Sequence, residues 1–374
     1  MLRSYAPDSV TVVVEFSEPL DSLAGAVASY SIEGGPAIQA MQTLPPLFGS
    51  VELRLAAPLQ RGKVYQLRAE GARDCSGMEL APGATIPVAL PEPPEPGSIV
   101  INELLYSPQT GGSEYVELLT RDRTLDLSQI YIATRSATGT VGTPRRLSAL
   151  PLQAFPGEYH VFAPDAADVS NRYFIHRPEW LHNLTGMPAL PDEGASLLLL
   201  DRQGNVLEEV PYSPKWQFAL INDAHGVALE RLDPYGSGAE RSNWHSAAAT
   251  AGFGTPTARN SQYRGGNAEG TLTVTPAVFS PDNDGFDDVA VITYEMEESG
   301  YLANISIFDA LGRPVRRLVR NGLLGRSGRF SWDGLDEQGR PLQVGTYVLF
   351  AELLNLDGKR KVFKRAVTIA KLLR

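Results

Sequence analysis

The sequence has few of the residues and motifs from which catalytic sites are built. It has one cysteine, Cys75, so no intrachain disulfide can form and the redox compartment is not revealed. Its five histidines include no H-E-x-x-H pattern and no close pair along the sequence, so a zinc site would need ligands from distant positions. A G-x-S-x-G elbow, a P-loop and a helix-opening G-x-G-x-x-G are all missing. We therefore predict that the chain is not an enzyme.

Long apolar runs are missing too. The longest are far too short to cross a bilayer, so we predict no transmembrane segment. Residues Met1 to Val10 lack the charged-then-apolar order of a signal peptide. Because Met1 runs almost directly into a strand pattern, we expect the sequence to be a piece of a longer precursor.

Positive charge is scarce in the first two thirds of the chain. The formal net charge is −10, whereas residues 264–374 hold 15 Lys+Arg against 14 Asp+Glu, so the preceding part carries −11. An acidic surface disfavours binding to phosphate backbones, and we predict no nucleic-acid partner. The chain ends in a basic run from Lys359 to Lys371, and lysines on an edge strand discourage aggregation between sheets.

Turn-forming and β-forming residues are abundant. The 374 residues include 35 glycines and 28 prolines, more than long helices would tolerate. Residues Val10 to Phe16 alternate with the period of two that marks a strand with one buried face. The turns Asp309–Pro314 and Asp336–Pro341 each open with aspartate and contain a glycine suited to positive φ. These strand and turn patterns predict an all-β fold built from small β-sandwiches.

Two seams divide the chain. Leu90–Ser98 has four prolines within six residues, which makes a stiff connector that cannot serve as a ladder strand. Asn260–Gly270 is polar and glycine-rich, as expected of a flexible linker. We therefore predict three β-sandwich domains in tandem: a first unit (1–92), a middle unit (98–260) and a last unit (270–374).

An aspartate-rich loop, F-S-P-D-N-D-G-F-D-D, lies near the start of the last unit at Phe279–Asp288. Its spacing matches the first half of an EF-hand loop, but Val291 stands at the twelfth position, where a bidentate glutamate is needed. Clustered carboxylates could still hold a calcium ion, the one cofactor we consider. The alternative is that these side chains accept loop amides in Asx turns. The candidate calcium ligands are Asp282, Asp284, Asp287 and Asp288.

The middle unit contains three glutamates that could resemble an acid–base pair. Glu114 and Glu117 are three residues apart on a strand, so they point to opposite faces and cannot act together. Glu103 and Glu117 could meet across neighbouring strands. No pocket or orienting partner is recognisable in the sequence, so we favour structural hydrogen bonding over catalysis.

The middle unit resembles bacterial lamin-tail domains, which are immunoglobulin-like β-sandwiches. The resemblance rests on separated stretches that occur in order, among them I-N-E-L-L-Y-S-P-Q-T-G-G-S-E-Y-V-E-L (Ile101–Leu118), A-S-L-L-L-L-D-R-Q-G-N-V-L (Ala195–Leu207) and V-A-L-E-R-L-D-P (Val227–Pro234). It implies a noncatalytic module of the kind appended to secreted nucleases and other hydrolases.

The last unit resembles the immunoglobulin-like C-terminal domain of flagellar hook-capping proteins and of type IX secretion cargo. F-S-P-D-N-D-G-F-D-D, W-D-G-L-D-E-Q-G-R-P-L-Q-V-G-T-Y and the closing G-K-R-K-V-F-K-R-A-V-T-I-A-K carry the resemblance. It implies that the aspartate loop is the first turn of a sorting domain. The residues it assigns to the sorting signal are Gly345, Tyr347, Gly358, Lys364 and Lys371.

The first unit resembles a bacterial immunoglobulin-like repeat, through V-E-F-S-E-P-L-D (Val14–Asp21) and D-C-S-G-M-E-L (Asp74–Leu80). Together these resemblances predict the C-terminal segment of a secreted or cell-surface bacterial protein, exported through the periplasm. Its expected partner is the outer-membrane secretion machinery, with a cell-surface polysaccharide or protein as a further candidate. The alternatives are an accessory region of a hydrolase or nuclease whose catalytic domain lies upstream, and a flagellar hook-assembly factor.

Overall fold

The computed structural model describes residues 1–21, 28–263, 270–282, 284–356 and 359–371. Within these ranges the chain is almost entirely β, with mostly antiparallel strand pairs, which confirms the predicted fold class. The single α-helix of the described residues is α1 (Ala166–Arg172). No described helix combines the length and the apolar character needed to cross a membrane.

Residues of the first unit form two sheets, ordered β1-β2-β5-β4 and β3-β6-β7. Val12, Leu53 and Leu67 are buried in one cluster between them. The period-two burial of β6, alternately buried and exposed, is the pattern expected of a strand with one face in a core. The strands are β1 (Arg3–Asp8), β2 (Thr11–Glu15), β3 (Ser29–Glu33), β4 (Ile38–Thr43), β5 (Ser50–Leu55), β6 (Tyr65–Glu70) and β7 (Thr85–Val88).

The middle unit is built around a six-stranded sheet, ordered β15-β14-β9-β8-β18-β19, which faces a four-stranded sheet, β12-β11-β16-β17. A two-stranded sheet, β10-β13, completes it. The strands are β8 (Ile99–Leu105), β9 (Tyr115–Thr120), β10 (Leu125–Asp126), β11 (Ile130–Arg135), β12 (Arg145–Arg146), β13 (Gln153–Ala154), β14 (Tyr159–Ala163), β15 (Leu181–Asn183), β16 (Ala195–Asp201), β17 (Val206–Tyr212), β18 (Leu229–Arg231) and β19 (Trp244–Ser246). Short 3-10 helices lie at Leu127–Gln129, Pro178–Trp180, Pro214–Trp216, Arg241–Asn243 and Ala249–Ala251.

The six-stranded sheet of the middle unit is buried on both faces. Ile101 and Leu104 lie in the main core between the sheets. Leu105 and Tyr115 lie in a smaller cluster on the opposite face, which also contains Val169 of α1. Every residue of β8 and β9 is therefore buried, the polar ones included, and each buried polar group needs a hydrogen-bonding partner.

The last unit also has two sheets, ordered β20-β22-β25 and β21-β27-β26-β23-β24. Ile305, Trp332 and Leu349 are buried between them. The strands are β20 (Thr271–Thr275), β21 (Val278–Phe279), β22 (Ala290–Glu295), β23 (Leu302–Phe308), β24 (Pro314–Leu323), β25 (Ser327–Trp332), β26 (Gly345–Leu354) and β27 (Arg360–Ile369).

The aspartate–glycine turns form as the sequence predicts. Oδ1 of Asp309 accepts the amides of Leu311 and Arg313 at 3.0 and 2.9 Å, and Gly312 takes a φ of +78°. Asp336 accepts the amide of Arg340 at 2.8 Å in the same way. These side chains replace backbone acceptors that a tight turn cannot supply.

The two seams differ in the structure. Residues 91–95 lie outside any strand, as expected from their prolines. In the second seam, Asn260 is 5% exposed and Gln262 fully buried, so its first residues pack against the middle unit. Residues 264–269 lie outside the described residues. The division into three domains stays a prediction.

Candidate functional site

Three buried glutamates lie in a row across the six-stranded sheet of the middle unit. Glu117 of β9 is directly opposite Glu103 of β8, which is directly opposite Glu230 of β18. Residues opposite each other on neighbouring strands project from the same face, so the three carboxyl groups share one face. All three side chains are 0% exposed. We call Glu117, Glu103 and Glu230 the glutamate row.

A segment that follows β19 covers the glutamate row, and we call residues 254–263 the strap. It begins at Gly254, where a Cβ would lie 2.6 Å from the Tyr115 hydroxyl and 2.8 Å from the Tyr173 ring, so no larger residue fits. The Thr255 amide lies 3.0 and 3.2 Å from the two carboxyl oxygens of Glu103.

Two further strap amides donate to the other members of the row. The Thr257 amide donates to Oε2 of Glu117 at 2.7 Å, and the Gln262 amide donates to Oε2 of Glu230 at 2.8 Å. Each glutamate thus accepts a backbone amide of the strap. The row supplies the acceptors that an irregular, buried segment lacks.

Side-chain donors complete the coordination of the row. Tyr115 donates its hydroxyl to Glu103. The Asn102 amide nitrogen donates to Oε1 of Glu117 at 2.8 Å, and the Ser261 hydroxyl contacts both oxygens of Glu230, at 3.0 and 2.8 Å. The Thr255 hydroxyl lies between two carboxyl groups, 2.6 Å from Oε2 of Glu103 and 2.9 Å from Oε1 of Glu230.

Burial dominates the electrostatics of the row. It raises the pKa of Glu103 and holds the pKa of Glu117 well above its ordinary value. Burial, reinforced by the neighbouring charge of Glu103, raises the pKa of Glu230 to about 8. Raised carboxyl pKa values occur in acid–base catalysts, but these groups are sealed beneath the strap, where a substrate has no access. Their geometry suits holding backbone in place.

An ion pair beside the row repairs a bulge in β8. Asn102 is an extra residue between Ile101 and Glu103, which interrupts the pairing of β8 with β9. The Ile101 amide donates to Oε2 of Glu208 at 2.5 Å, and Nη1 of Arg231 donates to the Ile101 carbonyl at 3.1 Å. Arg231 and Glu208 are themselves joined at 2.6 Å, with side-chain exposures of 2% and 11%.

The sequence located part of this site. It predicted that Glu103 and Glu117 could meet across strands and that Glu114 points elsewhere. The structure confirms both, since Glu114 accepts the Leu190 amide at 3.1 Å, away from the row. Sequence reasoning missed Glu230, although a glutamate inside the apolar stretch V-A-L-E-R-L is a signal of a buried, partnered carboxyl group.

A pair of histidines was also missed. His160 and His182 are 22 residues apart in sequence, yet His160 Nδ1 lies 2.9 Å from His182 Nε2. His160 Nε2 lies 3.0 Å from the carboxylate of Glu158, which can only accept, so this nitrogen carries the proton. Burial, aided by His160, lowers the pKa of His182 to about 3. The contact between the two histidines joins β14 to β15 at the edge of the sheet.

The aspartate loop of the last unit folds back on its own amides. Asp284 accepts the Phe286 amide and Asp288 the Gly285 amide, both at 2.9 Å. Asp287 takes a φ of +49°, and its carbonyl accepts the Ser280 amide at 2.9 Å. Among the described residues, one carboxyl oxygen each from Asp282, Asp284 and Asp288 lies within 4.8 Å of the others, close enough together for these three to hold a hard cation.

The residues assigned to the sorting signal occupy different environments. Gly345 begins β26, and Tyr347 is 6% exposed, packed against Trp332. Lys364 is exposed on β27, with its ammonium group 5.7 Å from the centre of the Phe350 ring. Lys371 is exposed just after β27. Gly358 lies outside the described residues.

Comparison with known proteins gives no family for the chain. No protein-family model matches it, and no curated protein matches it. Among solved structures, the hook-capping protein FlgD from Xanthomonas campestris is 22% identical over 26% of this chain and 68% of its own, with a TM-score of 0.20. Domains 1–6 of the surface-layer protein SbsC are 12% identical over 100% of this chain and 54% of theirs, at 0.21. Dimeric latent PorU from Porphyromonas gingivalis is 13% identical over 98% and 30%, at 0.22. Similarity this low carries no argument about function.

Proposed function

We propose that this chain is a noncatalytic part of a secreted or cell-surface bacterial protein. One observation supports the noncatalytic part of this proposal most: the glutamate row, the cluster of the middle unit most like a catalytic site, is fully buried and bonded to backbone amides. Carboxyl groups used in this way hold a fold together and do not meet substrates. On this proposal the first and middle units are spacers or binding modules, with a cell-surface polysaccharide or protein as ligand.

The last unit is proposed to be the sorting domain, which the outer-membrane secretion machinery recognises after the chain has passed through the periplasm. Support comes from the long hairpin of β26 and β27, which pair over ten residues each. Among the described pairings, β21 meets the other edge of β27 at Thr368 and Ile369 alone. Much of that edge therefore offers backbone groups to a partner strand, beside the exposed Lys364.

Removing residues 365–374 tests whether the last unit is a sorting domain, but it also removes Val367 and Ile369 from the core of that unit. A charge reversal, Lys364→Glu, separates recognition from folding because this side chain is exposed. The matched control is Arg329→Glu, which reverses an exposed cation on β25, in the other sheet of the same unit.

The readout is surface display in a bacterium that exports such domains, with thermal unfolding measured alongside. We expect Lys364→Glu to accumulate in the periplasm with an unchanged melting temperature, and Arg329→Glu to be displayed like the parent chain. Normal surface display of both Lys364→Glu and the truncated chain would refute the proposed sorting role of the last unit.

A further inference from the structure

The Thr255 hydroxyl contacts two carboxyl groups but can donate to only one of them. It lies within hydrogen-bonding distance of a carboxyl oxygen of Glu103 and one of Glu230, but it has a single proton to donate. If both glutamates were ionised, one contact would set two lone pairs against each other in a buried site. If one glutamate is protonated, it donates to Thr255, which donates to the other, and both contacts become hydrogen bonds.

We propose that Glu103 and Glu230 share one proton through Thr255, and that losing this proton at alkaline pH releases the strap and its contacts with the last unit. This device lies apart from the export function proposed above and does not depend on it. It makes the junction between the middle and last units sensitive to pH.

The hydrogen-bond pattern places the proton on Glu230. Glu103 accepts from the Tyr115 hydroxyl, and its two oxygens face the Thr255 amide, which together favour its ionised form. Oε2 of Glu230 faces the Ser261 hydroxyl and the Gln262 amide, at 2.8 Å each. Oε1 of Glu230 is left to donate to Thr255. The raised pKa of Glu230, about 8, agrees with this assignment.

Two titratable side chains beside the row stay neutral. Burial lowers the pKa of His245, opposite Glu230 on β19, and raises that of Tyr115 well above its ordinary value, so both are neutral. In the strap, Arg259 is exposed and Tyr263 half-buried. The titratable groups that act on one another within and around the row are Glu103, Glu117, Glu230, Tyr115, Tyr159 and Tyr173. Arg326 lies beside the strap, where its amide donates to the Ser261 carbonyl and its Nε to the Met296 carbonyl.

The same strap residues that contact Glu230 also hold the last unit. The Ser261 carbonyl accepts the Arg326 amide at 2.9 Å, and the Gln262 side chain donates to the Leu324 carbonyl at 3.1 Å. Gln262 is fully buried, so it cannot keep this bond if its segment moves outward. Release at Glu230 is therefore expected to break the contact with residues 324–326.

The strap is also held in a conformation that it would leave if released. Thr257 is a β-branched residue at a φ of +65°, in the left-handed region that such residues rarely occupy, and it is 1% exposed. Its hydroxyl accepts the amides of His176 and Arg177 at 3.0 and 3.1 Å, and its own amide donates to Glu117. These bonds balance the backbone strain only while the strap is seated.

Hydrogen exchange of the intact chain tests whether loss of the shared proton releases the strap. Exchange of the Thr255, Thr257 and Gln262 amides is compared at pH 6 and pH 9, after correction for intrinsic exchange. Because Glu230 has a pKa of about 8 in the seated strap and an ordinary carboxyl pKa once released, protection should fall about a hundredfold between pH 6 and pH 9. Glu230→Gln places a permanently neutral donor and acceptor in the same space, so its strap protection should not change with pH. The control Glu79→Gln, at an exposed site in the first unit, should keep the fall.

A second measurement covers the case in which Glu230→Gln does not fold. Carboxyl carbons of glutamate are labelled with ¹³C in the parent chain and titrated by NMR. We expect at least one buried glutamate to titrate near pH 8 and to lose this titration in Thr255→Val. Equal protection of the parent chain at pH 6 and pH 9, an unchanged fall in folded Glu230→Gln, or glutamates that all titrate below pH 6 would overturn the proposal.

Discussion

Replacing Arg231 with methionine removes the cation that repairs the β8 bulge. Arg231 donates to the Glu208 carboxylate and the Gly236 carbonyl at 2.6 Å each, and to the Ile101 and Asp233 carbonyls at 3.1 and 3.3 Å. Methionine fills similar space but makes none of these bonds. The variant leaves Glu208 as a buried carboxyl group without its counter-ion.

Removing one partner of a buried ion pair costs about 3–5 kcal/mol, because the remaining charge is desolvated without compensation. Arg231→Met should lose stability of that size in the middle unit. The double variant Arg231→Met/Glu208→Leu removes the charge as well, leaving the Ile101 amide as the main unpaired group at about 1–3 kcal/mol. The double variant is therefore expected to be more stable than the single one.

The pH dependence of Arg231→Met has a predictable sign. Burial raises the pKa of Glu208, and the charge of Arg231 opposes this shift, so removing Arg231 raises the pKa further. A carboxyl group with a raised pKa contributes stability at low pH that is lost as pH rises through its folded-state pKa. The destabilisation by Arg231→Met should therefore be smaller at pH 5 than at pH 8.

Urea unfolding, monitored through the hydrogen exchange of amides in β8, β17 and β18, measures the loss of stability within the middle unit. The matched control is Arg135→Met, whose ion pair with Glu209 is about one-third exposed and is worth at most about 1 kcal/mol. A loss below about 1 kcal/mol for Arg231→Met, or a double variant less stable than the single one, would refute this reasoning.

Three further predictions concern the last unit. Trp332→Ala should cost about 3–5 kcal/mol in urea unfolding, because the ring is 1% exposed and packs in the core, whereas Arg329→Ala on the same strand should change stability by no more than about 0.5 kcal/mol. The Arg340 amide and guanidinium lower the pKa of Asp336, so this turn stabilises the fold above the unfolded-state pKa and loses that effect as pH falls. Asp336→Ala should therefore lower the melting temperature at pH 7 and lower it less at pH 2. Calorimetric titration with calcium should show no binding heat, because the loop carboxylates already accept amides; heat that Asp284→Asn abolishes would instead show a calcium site.

Local sequence patterns predicted the strands because strand formation here follows local alternation. The predicted strand at Val10–Phe16 is β2, and the predicted turns at Asp309 and Asp336 form with the expected aspartate and glycine roles. The pairing of Glu103 with Glu117 was also accessible, since their strands are joined by a short connection. Each of these features depends on residues close in sequence.

The strap and Glu230 were not accessible in the same way. Glu230 joins the row because β18 pairs with β8, which places it opposite Glu103, 127 residues earlier in the sequence. The alternation of apolar and polar residues in a strand does not show which distant strand it will pair with. The strap has no regular structure, and its polar residues read as a linker. Only the structure shows that its amides are buried against carboxyl groups.

Protease added outside intact cells measures most directly whether this chain is a surface protein. The full-length chain is expressed behind an inner-membrane export signal in a bacterium that has the outer-membrane machinery, and in a matched strain without it. We predict digestion of the chain in the first strain and protection in the second. Protection in both strains, with folded chain recovered from the periplasm, would contradict the proposed function.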